Sequence, residues 1–145
     1  VSRPFPLLLL CLLLLTAACK KDTAEPAPVL EGRWVEQSHM TYTYDTAGKL
    51  LREHSVTAPT PRYGMVIQPT TWEWLGPNLS GDLVPAFTDR ITRTGNMIYF
   101  TRQAGDEFEL RILTLTAHTL TLRYEHIITD PTTGQYETRD DTFSR

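Results

Sequence analysis

The stretch Phe108–His126, FELRILTLTAHTLTLRYEH, decides the fold. Phe108, Leu110 and Ile112 alternate with Glu109 and Arg111, the period of two by which an extended chain sends apolar groups to one face and charges to the other. The apolar phase then slips, with Leu113 and Leu115 set against Thr114 and Thr116, and this predicts a β-bulge near Ile112-Leu113. After a tight turn at Ala117-His118, Leu120, Leu122, Tyr124, His126 and Ile128 alternate against Thr121, Arg123 and Glu125. No window of the chain offers a capped amphipathic helix, so the fold class is all-β.

The same rhythm extends in both directions. Asp130-Pro131-Thr132-Thr133-Gly134 supplies a turn, and Tyr136 to Phe143 follows as the last strand. Upstream, Gly95-Asn96 is a two-residue hairpin turn between Arg90–Thr94 and Met97–Arg102, because both residues tolerate positive φ. In WVEQSHMTYTY, Trp34, Met40, Tyr42 and Tyr44 are assigned to one face, the inward one, and Val35, Gln37, His39, Thr41 and Thr43 to the other. Asp45–Lys49 is a hairpin loop returning into Leu50–Thr57, and Ala58-Pro59-Thr60-Pro61 breaks that strand. Tyr63–Gln68 and Thr71–Leu75 are short strands, and Gly76 to Thr88 reads as a long loop. Some eight to ten short strands joined by hairpins describe an antiparallel up-and-down meander closing into a small β-barrel. Closure hides the edges an open sheet would expose, although periodicity alone leaves a sandwich open.

The first 18 residues read differently. Leu7–Ala18 is apolar except for Thr16, follows a single charge at Arg3 and stops at Lys20-Lys21, too short for the roughly 20 residues of a membrane span and suited to a signal peptide. Thr16-Ala17-Ala18-Cys19 resembles the lipobox of bacterial lipoproteins, which implies acylation of Cys19, with the commoner leucine replaced by Thr16. The alternative is an ordinary secretory signal cut after Ala18 that leaves Cys19 a free thiol. Lys20, where an inner-membrane retention signal would place aspartate, favours the outer membrane, and Cys19-Lys20-Lys21-Asp22 is similar to the starts of Bacteroidetes lipoproteins. Cys11 leaves with the signal, so no internal disulfide is available and a packed core must supply stability. The expected organisation is a signal peptide over 1–18, an acylated cysteine and flexible tether over 19–29, rich in Pro, Ala and acid, and one domain over 30–145.

The chain carries 14 basic and 17 acidic residues for a net charge of −3. No basic cluster exceeds Lys20-Lys21, which argues against nucleic acid, since a polyanion partner demands a concentrated positive stripe. The four histidines, His39, His54, His118 and His126, lack tight ligand spacing. The hairpin through Thr46-Ala47 would bring His39 and His54 nearly opposite each other, with Glu53 close by, the basis of a minor metal-capture reading; no metal or other cofactor is assigned. No nucleophile elbow, Ser-x-x-Lys, H-E-x-x-H or phosphate loop occurs, and the acid pairs Asp106-Glu107 and Asp140-Asp141 read as solvated charge at turns or edges. The chain is therefore not expected to be an enzyme.

Leu30-Glu31-Gly32-Arg33-Trp34 resembles the G-x-W start of lipocalin-like domains. The closing strands with Thr142-Phe143-Ser144-Arg145 are similar to those of small lipocalin-like lipoproteins of Bacteroidetes. The resemblance implies a barrel in which Gly32 admits the chain and Trp34 plugs one end, with an interior that in many relatives holds a small apolar ligand. Trp72 and Trp74, on one face beside Glu73, together with Tyr42 and Tyr124, are the candidate ligand-binding residues. The expected protein is a lipid-anchored cell-envelope binding module. Its partners are the membrane, through the N-terminal lipid, and a small apolar ligand or an envelope protein. The alternative is a protein-binding or structural module whose barrel is filled by side chains such as Trp34, Tyr42, Phe108 and Tyr124.

Overall fold

The computed structural model describes residues 27–58, 62–101, 107–127 and 129–145. Cys19, the expected signal peptide, most of the tether, Asp106 and Ile128 lie outside the described residues. Ten strands run in chain order: β1 Gly32–Tyr44, β2 Leu50–Thr57, β3 Gly64–Ile67, β4 Thr71–Pro77, β5 Leu83–Thr94, β6 Met97–Thr101, β7 Glu107–Leu115, β8 Thr119–Tyr124, β9 Thr129–Asp130 and β10 Gln135–Ser144. Each pairs antiparallel with its neighbours in the order β2-β1-β3-β4-β5-β6-β7-β8-β10-β9. Pairing of β1 with β10 then closes β1, β3 to β8 and β10 into an eight-stranded barrel.

The long strand β1 serves two neighbours on one edge. Gly32–Val35 pairs with β3 and Ser38–Tyr44 with β2, while β10 runs along the other edge from Val35 to Tyr44. The barrel wall thus continues past its mouth as a four-stranded extension of β2, β1, β10 and β9. Close approach of β3 to β1 needs a glycine, because a Cβ on Gly64 would stand 2.8 Å from the Trp34 carbonyl oxygen.

The bottom of the barrel is packed solid. Trp34, Trp72, Ile98, Phe100, Leu110, Leu120 and Leu122 are buried there. Phe100 stacks on Phe108 at 4.2 Å and meets the edge of Trp72 at 5.0 Å. Trp34 closes this end, its Nε1 donating to the Leu30 carbonyl at 2.8 Å. The Arg145 guanidinium lies 4.3 Å over the Trp34 ring and donates to the carbonyls of Ala117, Glu31 and Val29. The Gly32 φ of +135° lets the chain turn under that guanidinium, whose Nη1 would stand 3.1 Å from a Cβ there. The bulge expected near Ile112-Leu113 is present: the β7–β8 register skips Leu113, which faces solvent, and Leu115 returns to the core.

Several expectations need correction. Gly76–Thr88 is largely strand, with only Asn78–Asp82 as the loop. Asn78 Oδ1 accepts from the amides of Ser80 and Asp82 there, and Pro85 is tolerated because it sits at a register shift opposite Leu75. The clearest alternating strand ends at Tyr124, and His126 lies beyond it with φ of +55°. Within β1 a bulge at Gln37 reverses the alternation, since Glu36 pairs with Phe143 but Ser38 with Thr142 and His39 with Asp141. Trp34 and Glu36 face inward, and so do His39, Thr41 and Thr43. Met40, Tyr42 and Tyr44 therefore face outward, where Tyr44 stacks on Tyr136 at 5.1 Å. Nor is the Asp140-Asp141 pair solvated charge at an edge: both residues are buried in mid-strand.

Trp34→Ala should cost about 3–5 kcal/mol in a denaturant titration followed by far-UV circular dichroism, because it empties the sealed end and removes the ring beneath the Arg145 guanidinium. A loss under about 1 kcal/mol would mean that this end is not the packed plug described.

Candidate functional site

At the other end, the mouth, the inner faces are less filled. Glu36 and His39 come from β1, Trp74 and Leu75 from β4, Ala86 and Phe87 from β5, Tyr124 from β8, and Arg139, Asp141 and Phe143 from β10. Together they border a cavity of about 330 Å³. A second, larger cleft of about 690 Å³ opens beside it, where β7 and β8 separate above the Arg111–Arg123 pair. Trp74 and Tyr124 line both spaces.

Two aromatic side chains set the cavity's shape. The Trp74 ring is held by an Nε1 hydrogen bond to Asp89 Oδ2 at 3.0 Å, and it packs on Trp72 at 5.3 Å and Phe87 at 5.8 Å. Asp89 is itself buried, so this hydrogen bond fixes the indole. Tyr124 carries the Arg139 guanidinium 5.0 Å from its ring centre, and burial pushes its hydroxyl pKa well above the usual range.

The polar part of the wall is arranged around β10. Alternation sends Asp140 outward and Asp141 inward, and each carboxylate takes its own arginine. Outside, Arg123 grips Asp140 through two hydrogen bonds of 2.7 Å and lies 5.7 Å from the Tyr42 ring. Inside, Arg139 Nη2 donates to Asp141 Oδ2 at 2.7 Å. Burial pushes the Asp141 carboxyl above its ordinary pKa, the opposing pull of Arg139 notwithstanding, and the Glu36 carboxylate adds to the rise. His39 Nδ1 lies 3.2 Å from Glu36 Oε1.

The four candidate binding residues are thus divided. Trp74 and Tyr124 line the cavity, Trp72 is fully buried in the core beneath it, and the β1 bulge puts Tyr42 on the outer face against Arg123. His39 and His54 are not opposite: His54 pairs with Thr41 and His39 with Val56, and His39 meets Glu36 instead. Gly32 and Trp34 sit at the sealed end. Glu36, Phe87, Arg139 and Asp141 escaped the sequence reading. A signal for two of them was present, because Arg139 and Asp141 alternate in phase with the core residue Phe143.

No family model matches the chain, and no curated protein matches it. Among solved structures, a lipocalin-like protein from Bacteroides uniformis is similar over 80% of this chain and 97% of its own, with 14% identity and a TM-score of 0.47. An uncharacterized protein from Bacteroides eggerthii is similar over 81% of this chain and 99% of its own, again with 14% identity and a TM-score of 0.47.

Proposed function

We propose that this protein is a lipid-anchored, non-catalytic envelope module that holds a small, largely apolar ligand in the mouth of its barrel. The observation that carries the reading is the contrast between the two ends of the barrel. The sealed end is filled, whereas the mouth keeps a cavity of about 330 Å³ bordered by Trp74, Phe87, Tyr63, Tyr124 and Phe143. That volume lies within the range of small-molecule sites, roughly 300–1,000 Å³, and an aromatic wall with a few polar groups suits a ligand of mixed character. Fixing the Trp74 indole in advance lowers the entropy cost of binding.

A second reading rests on β2. Its only strand partner among the described residues is β1, and Leu50 and Leu51 are exposed beside the free edge. Such an edge can accept a strand from another protein, which would make the outer wall the working surface.

Native mass spectrometry of the full chain from its host's envelope separates the two readings. A small molecule at one copy per chain is expected, with occupancy at least tenfold lower in Ala86→Trp, which fills the cavity from its rim. A bare, folded wild-type chain would favour the β2 edge instead. Cys19→Ala should release the protein from the membrane fraction, and a variant that still sediments with membranes in high salt would remove the lipid anchor from the account.

A further inference from the structure

We propose that Glu36, His39 and Asp141 form a binding site for a divalent first-row transition-metal ion, set in the wall of the mouth cavity. This goes beyond the capture of an organic ligand and does not depend on it. One donor atom from each of the three residues lies within 4.8 Å of the other two. Ligands held at about 2.0–2.2 Å from one metal stand about 3.0–3.4 Å apart; His39 Nδ1 and Glu36 Oε1 are already 3.2 Å apart, and the Asp141 carboxylate closes by up to about 1.5 Å.

The backbone explains how three ligands meet. In a regular strand, residues three apart point to opposite faces, so Glu36 and His39 could not share a site. The bulge at Gln37 brings both inward, and the register then sets Asp141 directly opposite His39. Sequence spacing alone hides this arrangement.

A second observation points to a cation at this place. Asp141 is 3% exposed, and while its Oδ2 accepts from Arg139, its Oδ1 is buried with no hydrogen-bond partner. An unpaired carboxylate oxygen in such a position is costly. Charge points the same way, since Glu36 and Asp141 bring two carboxylates to a wall where, among the described residues, Arg139 is the one permanent cation. An ion between the three donors would satisfy Asp141 Oδ1 and replace the 3.2 Å Glu36–His39 contact with two coordinate bonds. The donor set of one imidazole and two carboxylates suits manganese, iron or zinc better than the softer copper(I).

The test uses the full chain in detergent micelles, stripped with EDTA and titrated with Mn²⁺, the free ion being counted by electron paramagnetic resonance. Mn²⁺ favours oxygen and nitrogen donors over thiols. One ion per chain is expected, with the dissociation constant raised at least tenfold by His39→Ala and by Asp141→Asn and changed less than twofold by His54→Ala. Because Asp141→Asn also removes the charge that Arg139 pairs with and can loosen the barrel, a wild-type readout accompanies it. Bound Mn²⁺ should broaden the NMR amide signals of Glu36, His39 and Asp141 first. An absent stoichiometric ion, wild-type affinity in the His39 and Asp141 variants, or broadening centred on other residues would each overturn the proposal.

Discussion

Pairing of β1 with β10 is the constraint on which the rest of the structure depends. Without it the chain would be an open sheet with two long edges and an apolar face in water, a state that invites aggregation. With it, the residues nearest each end of the folded chain become neighbours, and Arg145 can reach Trp34 and the carbonyls before β1. The same pairing carries the bulge at Gln37, and that one extra residue determines which side chains of β1 look into the barrel.

The barrel is filled from one end. Trp34, Trp72 and Phe100 fill the lower interior, and the ring contacts of Phe100 with Trp72 and with Phe108 are each worth about 0.5–1.5 kcal/mol beyond the area they bury. An eight-stranded barrel has room for little more than such a core or one small ligand. Here the core takes the bottom and leaves the mouth to charged and aromatic groups. The division follows from the strands: β7 and β8 part above Arg111, while β1 and β10 bring Glu36, His39, Arg139 and Asp141 into the wall.

Most of the strands could be read from alternation and turn chemistry. The hairpins at Asp45–Lys49, Gly95-Asn96 and Asp130–Gly134 stand where glycine, asparagine and aspartate place them, and the slip at Leu113 was visible as two leucines out of phase. The slip at Gln37 was not. Tyr42 and Tyr44 looked like good inward residues, and aromatic side chains suit either face of a sheet, so composition gave no sign that the phase had changed. The acids of β10 were misread for a related reason, because two adjacent carboxylates suggest solvent unless an arginine is known to face each one. The cavity itself depends on how far neighbouring strands diverge, which local sequence does not encode.

The most direct test of this account is an NMR measurement of cross-strand contacts between β1 and β10. Contacts joining Glu36 to Phe143, Ser38 to Thr142 and His39 to Asp141, with none from Gln37 to the partner strand, would establish both the closure and the bulge. An unbroken ladder linking Gln37 to Thr142 and Ser38 to Asp141 would turn His39 outward and dissolve the polar wall. Absence of any contact between the two strands would contradict the closed barrel itself.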